Sequence, residues 1–190
     1  MHDADQVREI VTATPWLMDA LRAARDVDPP DWLISAGAVR TAVWDHRHGH
    51  AQPTALADVD LGFYDGVDLS PERETGVEAA LARRLPGVRW DAKNQARVHL
   101  WYEERFGHPP ATLSCTADAV ATFPEFAVCV GLRLTAAGEI VVVAPHGLGD
   151  LLGVVHRHNP RLATVEEYER RLAAKRITER WPRATVVPAR

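Results

Sequence analysis

The sequence predicts a mixed α/β or α+β fold, with helices and strands packed round one small sheet. Three observations carry that expectation. Short apolar or alternating runs at residues 32–36, 59–64, 88–92, 127–134 and 139–144 have the length and period of strands. The longer stretches between them repeat their apolar residues at helical spacing. A chain of 190 residues, 46% hydrophobic and 25% charged, can bury a core without disulfides or metal staples. The expected organisation is one domain over 1–190, with N-terminal helices at 5–27, a core at about 31–145 and a C-terminal helical part at 146–182.

Each element has a local reason. Val7, Ile10, Val11, Leu17, Leu21 and Ala24 make one apolar stripe, interrupted where Thr14-Pro15 reads as an N-cap and first position of a second helix. Asp28-Pro29-Pro30 ends that helix. Trp32 to Ala36 reads as a buried strand running into Gly37, and Ala38 to His46 resumes a helical pattern before the polar loop His48 to Ala57. Val59 to Tyr64 alternates like a strand with one buried face, and Asp65-Gly66 turns it. Ser70 caps a helix over Pro71 to Arg84. Then come a strand at Val88 to Ala92, a helix over Asn94 to Phe106 and a short helix at Thr116 to Thr122. Ala127 to Leu134 and Glu139 to Ala144 form a hairpin turned at Ala136-Ala137-Gly138. Pro145-His146-Gly147 breaks the chain before Leu148 to Val155. Thr164 caps a charged helix, about Val165 to Arg180, closed by Trp181-Pro182.

Composition excludes several functions. A formal net charge of −4 argues against bulk nucleic-acid binding, so a phosphate-bearing partner must be met by local cations or a bound metal. No apolar stretch approaches a membrane span, and the acidic, amphipathic start is unlike a secretory signal. Cys115 and Cys129 match neither a disulfide framework nor a zinc motif, which with the rest reads as a reduced, cytoplasmic chain.

The most informative unit is Asp58-Val59-Asp60. Residues two apart on a strand share a face, so both carboxylates point one way while Val59, Leu61 and Phe63 point into the core. Like charges so placed repel unless neutralised, and magnesium suits one or two carboxylates together with phosphate oxygens. Taken alone, Asp-X-Asp is also what the wet face of any strand carries. Upstream, Gly37 allows close backbone approach, the helix starting at Gly37-Ala38 offers unpaired N–H groups to phosphate, and Arg40 in its first turn adds charge. The run His46-Arg47-His48-Gly49-His50 suggests zinc, but Gly49 ends the helix and no third ligand is near. Asp150 reads as an N-cap or a partner for Arg157. The final helix, with Arg170, Arg171, Lys175 and Arg176, is a solvated basic face that could also help receive a phosphate-bearing acceptor.

The order strand, glycine, helix and acidic strand resembles the polymerase-β-type nucleotidyltransferase core. It resembles more closely a small bacterial nucleotidyltransferase-like family within that superfamily. The phrases that carry the likeness are AGAVRTAVWD (36–45), DVDLGFYD (58–65), WDAKNQARVHLW (90–101), APHGLGDLL (144–152) and ERWP (179–182), which together span most of the chain. The resemblance implies a short mixed sheet with flanking helices. It also implies metal-dependent transfer of a nucleoside monophosphate from a nucleoside triphosphate to an acceptor that the sequence does not name. It makes Asp91 the third acid, with Asp58, Asp60 and Asp91 as catalytic ligands of magnesium or manganese. Gly37, Ala38 and Arg40 would contact phosphate, and Lys93, Asn94 and Arg97, with Asn94 and Arg97 one helical turn apart, would clamp nucleotide or acceptor. Two departures stand out. Ala38 replaces the usual serine or second glycine, and His46 to Ala57 lengthens the gap between Gly37 and Asp58. The alternative is therefore a module of the same fold that binds a nucleotide or a partner without turnover.

Overall fold

The structure is a computed structural model that describes residues 2–189. Its centre is a five-stranded mixed sheet in the order β3-β2-β1-β4-β5. Strand β1 (Leu33–Ser35) lies antiparallel to both β2 (Val59–Phe63) and β4 (Gly131–Leu134). β2 runs parallel to β3 (Trp90–Asn94), and β4 makes the expected hairpin with β5 (Ile140–Val143). The fold class expected from the sequence is the one observed.

Alternation sorts the two faces. Ile34, Leu61, Phe63, Trp90 and Leu132 join a core shared with α1 (Asp3–Thr12), α2 (Pro15–Val27), α3 (Gly37–His48) and α4 (Pro71–Arg84). The other face carries the polar residues of β2 and β3 and a small apolar cluster of Leu33, Val120 and Cys129 beneath α6 (Thr116–Val120). β3 is an edge strand, and α4 covers its free backbone. Glu78 accepts from the Ala92 N–H at 3.0 Å and Glu74 from the Asn94 N–H at 2.9 Å, which removes the unpaired donors that make edges adhesive.

The C-terminal segment is pinned across the molecule by tryptophan. Trp181 packs edge-on against Trp44 of α3 at 5.2 Å, and its indole N–H donates to Asp45 at 2.8 Å. The same carboxylate accepts from the Thr54 backbone at 2.7 Å and faces His50 at 3.0 Å, so the loop after α3 is ordered from one buried acid. Among the described residues no helix is long and apolar enough to cross a membrane.

Several elements differ from the sequence expectation. β3 starts at Trp90 and runs on to Asn94 because the whole of it pairs in register with β2, Val59 against Trp90 through to Phe63 against Asn94. The helix expected over Asn94 to Phe106 is a 3₁₀ turn (Gln95–Leu100) followed by α5 (Tyr102–Phe106), since the Asn94 side chain caps the Ala96 N–H and starts a tighter coil. Residues 126–128 form a 3₁₀ turn ahead of β4, and Leu148 to Val155 divides into α7 (Gly149–Leu152) and the start of β6 (Val155–His156), which pairs with an unforeseen β7 (Thr185–Val186). The last helix breaks into α8 (Val165–Lys175) and α9 (Ile177–Arg180) at Arg176, whose φ is 49°.

Candidate active site

Parallel pairing of β2 and β3 brings the acids together. Asp60 sits in register with Asp91, and Asp58, just ahead of β2, stands close enough for its charge to act on Asp60. Neighbouring backbones in such a ladder are about 4.8 Å apart, so three carboxylates crowd one end of the sheet. Gly62 continues the same face and has a packing reason to lack a side chain. A β-carbon there would meet Thr116 Cγ2 at 3.1 Å and the Gln95 side chain at 3.5 Å.

Crowding shows in the chemistry of Asp60. Burial first, then the charges of Asp58 and Asp91, push its carboxyl up to about 6, against the offsetting pull of Lys175 and a hydrogen bond from the Gly37 backbone N–H. Asp60 is therefore the acid most in need of a cation.

The backbone turn entering α3 is tighter than its sequence suggests. Ala36 holds φ 55° and ψ −122°, a region that costs a residue with a β-carbon about 1–3 kcal/mol. Gly37 has no such φ. A β-carbon at Gly37 would instead stand 4.0 Å from Asp60 Oδ2, so its absence keeps the approach to the carboxylate open.

Asp60 stands between two spaces. On one side a basic cleft of about 520 Å³ is lined by Gly37, Asp58 and Asp60 and by Arg171, Lys175 and Arg180. On the other an apolar cavity of about 280 Å³ is lined by Ser35, Asp60 and Asp91 and walled by Trp101, Tyr102 and Phe123. Arg171 borders both. Crowded cations lower the proton affinity of Lys175: burial acts first, then Arg171 and Arg40.

The remaining residues singled out from the sequence are placed differently. Ala38 is fully buried in the core, so its side chain faces away from the cleft. Arg40 borders the basic cleft but is only 2% exposed, 3.4 Å from Glu125 and between the rings of Trp44 and Trp181 at 5.6 and 5.3 Å. Burial pulls its guanidinium down to about 10, which leaves it charged at neutral pH. Lys93 pairs with Asp91 at 2.6 Å and reaches towards Glu78 at 3.8 Å.

Asn94 and Arg97 are engaged within the fold, not in either space. The Asn94 amide donates to the Asp65 and Asp68 carbonyls at 2.9 and 3.0 Å, and its oxygen accepts from the Asp65 and Ala96 N–H groups at 2.9 and 3.1 Å. Arg97 donates to the Leu69 carbonyl at 3.1 Å and pairs with Glu74 at 2.9 Å. Both staple the loop between β2 and α4 to the turn after β3. Asn94→Ala is expected to cost about 3–4 kcal/mol, from four bonds of roughly 1 kcal/mol each. That lowers the melting temperature by about 6–15 °C while nucleotide affinity of the folded protein stays within twofold. Calorimetric melting with a nucleotide titration checks it, and a tenfold affinity loss without lowered stability would show that the amide meets ligand directly.

The histidine run is structural. α3 runs to His48 and Gly49 ends it in the left-handed conformation. His48 bonds the Trp44 carbonyl at 2.7 Å, and His50 faces Asp45. Asp150 pairs with Arg157 at 3.0 Å, as expected.

Sequence reasoning missed what holds the basic cleft together. Glu125 is fully buried and takes Arg171 Nε at 2.8 Å on one oxygen and Arg40 on the other. The two guanidiniums keep its carboxyl below the usual range in spite of burial. Arg171 and Lys175 are four apart on α8 and so share one face, a spacing visible in the sequence. Nothing local to residue 125 marks it.

Among the described residues no three His, Cys, Asp or Glu side chains are disposed to grip a metal ion as they stand. The donor chemistry nevertheless suits a hard divalent cation. Asp58, Asp60 and Asp91 would supply the oxygen donors such an ion prefers, and burial followed by the two neighbouring carboxylates raises the proton affinity of Asp60.

Comparison with known proteins places the arrangement. A protein whose NMR structure is described as revealing a CCA-adding enzyme head domain is 28% identical and superposes with a TM-score of 0.78, covering 97% of this chain and 96% of that one. A CCA-adding enzyme in complex with CTP shares the fold at 15% identity and a TM-score of 0.57, covering 98% of this chain and 43% of that one. A tRNA-processing enzyme shares it at 15% identity and 0.53, covering 89% of this chain and 42% of that one. This chain thus spans less than half the length of the latter two. No curated protein sequence matches it. A family model described as nucleotidyltransferase matches residues 22–186, nearly the whole chain. The chain belongs to that family and is a nucleotidyltransferase.

Proposed function

We propose that the protein transfers a nucleoside monophosphate from a nucleoside triphosphate whose phosphates lie in the basic cleft, with the α-phosphorus at Asp60. The observation that carries the reading is the position of Asp60 between a cationic space and an apolar one. Asp58, Asp60 and Asp91 would hold magnesium or manganese, which when bound neutralises phosphate charge and lowers the pKa of an attacking hydroxyl. The chain's own groups do the rest. Backbone N–H groups at the start of α3 face incoming phosphate. Lys175 and Arg180 attract the pyrophosphate portion, and Arg171, anchored by Glu125, reaches the junction of the two spaces. Charge in such a transfer spreads over phosphate oxygens, so fixed cations and alignment supply most of the rate.

The alternative of binding without turnover was motivated by the missing hydroxyl at Ala38. That side chain faces the core, while Ser35 lines the apolar cavity beside Asp60, so the absence at position 38 does not favour it.

CTP and ATP, each with and without magnesium, are the probes for a calorimetric titration. Binding is expected to require magnesium, and Lys175→Ala to weaken it about tenfold, the loss of one charge-assisted contact of roughly 1.5 kcal/mol. Equal affinity in that variant, or indifference to magnesium, would reject the assignment of the cleft.

A further inference from the structure

We propose that the apolar cavity beside Asp60 and Asp91 is the acceptor site, and that the acceptor is a compact hydroxylated molecule with an aromatic or aliphatic body. The proposal rests on the nucleotide reading above and adds its second substrate.

Direction of attack chooses the side. In phosphoryl transfer the attacking and leaving oxygens lie roughly in line through phosphorus. Lys175 and Arg180, which draw the departing pyrophosphate, border the basic cleft but not the apolar cavity, and Asp58 does likewise. Asp91 and Lys93 border the cavity but not the cleft, and Asp60 borders both. With the α-phosphorus over Asp60 and the pyrophosphate directed at Lys175, the opposite approach opens from the cavity. The nucleoside hangs from a third substituent of that phosphorus and lies off this axis. The acceptor's hydroxyl oxygen uses a lone pair to bond to the α-phosphorus. The bond from that phosphorus to the bridging oxygen breaks, its electron pair leaves with pyrophosphate, and the hydroxyl proton passes to water.

The walls choose the class. Trp101, Tyr102 and Phe106 form a continuous aromatic surface, with the Tyr102 and Phe106 rings 4.5 Å apart and Trp101 to Tyr102 6.0 Å apart. Leu113, Val98 and Phe123 extend it, and a volume of about 280 Å³ falls at the lower end for small-molecule pockets. Its charged lining, Asp60, Asp91, Lys93, Glu167, Arg170 and Arg171, balances three acids against three bases. An RNA end carries further phosphates that need a cationic track leading away from the site. The helix bearing the aromatic wall instead exposes Glu103 and Glu104 beside Arg105, and the whole chain is net −4.

The test uses 2-phenylethanol as probe, read by saturation-transfer NMR, on the wild type and on the cavity-filling variants Val98→Trp and Leu113→Trp. The alcohol is expected to bind the wild type and to bind both variants at least tenfold more weakly, with CTP–magnesium affinity within twofold throughout. A twelve-nucleotide RNA with a free 3′ hydroxyl, offered with labelled CTP, is expected to remain unextended. Failure of the alcohol to bind the wild type, equal binding in both variants, or extension of the RNA would each overturn the proposal. Alcohol binding without any nucleotide binding would overturn the parent reading, and the acceptor role with it. Wild-type binding and the RNA arm decide the matter even if neither variant folds.

Discussion

Asparagine at position 60 is expected to make the protein more stable and nearly inactive. Asp60 in the folded state titrates at about 6, above its ordinary 3.8. Between those values the folded chain holds a proton that the unfolded chain has released, so stability falls as pH rises through this window. Above it the full cost of the buried, crowded charge is present, about 3 kcal/mol at 1.36 kcal/mol per pKa unit. Asp60→Asn keeps the shape and removes the charge. Calorimetry at pH 7.5 in a chelator should find the variant melting about 6–12 °C higher. At pH 4 the difference should nearly vanish, because the wild type is then protonated too. Magnesium should narrow the gap at pH 7.5 by stabilising the wild type alone. Nucleotidyl transfer by the variant should fall by about 10³-fold or more, since the carboxylate touches the reacting centre in the proposed reading. A variant no more stable than the wild type in chelator would show that the acids do not strain the fold, and full activity would remove Asp60 from the mechanism.

Such a trade between stability and function is expected if the three acids are a site whose charges are assembled before their counter-ion arrives. It also explains what was legible in the sequence. Asp58 and Asp60 declare a shared face through their spacing alone, and Val59, Leu61 and Phe63 declare the core behind them. Asp91 needed the family resemblance, because its place beside Asp60 depends on parallel pairing between segments thirty residues apart. Period and spacing do not reveal register between strands joined by a helix. Asn94 and Arg97 show the reverse case. Polar residues crowded after an acid look like ligand-binding groups, yet here they satisfy loop carbonyls and amides that would otherwise go unpaired. The turn before α3 was expected at Gly37, and the strained residue is Ala36, one position earlier, whose φ of 55° no local pattern in the sequence announces.

The least legible part is the buried charge system behind the cleft, and it carries the second large effect. Glu125 lies 85 residues from Arg40 and 46 from Arg171, and only the folded chain joins them. Removing its charge strands Arg40, 2% exposed, without its direct ion-pair partner, a change that costs about 3–5 kcal/mol. Glu125→Gln is therefore expected to melt about 6–20 °C below the wild type. Arg171 has a half-open side chain and Arg40 still faces Glu125 when it is removed, so Arg171→Ala should cost less stability than Glu125→Gln. If Glu125 positions Arg171 for phosphate, both variants should raise the KM for nucleotide by a similar factor, about tenfold, with a smaller change in kcat. The double variant should then be no worse in KM than either alone, the non-additivity expected of two residues acting through one contact. A merely structural Glu125 would lower the melting temperature and leave the nucleotide KM of the folded enzyme where it was. That pattern, alongside a raised KM in Arg171→Ala, would separate the core ion pair from the site it borders.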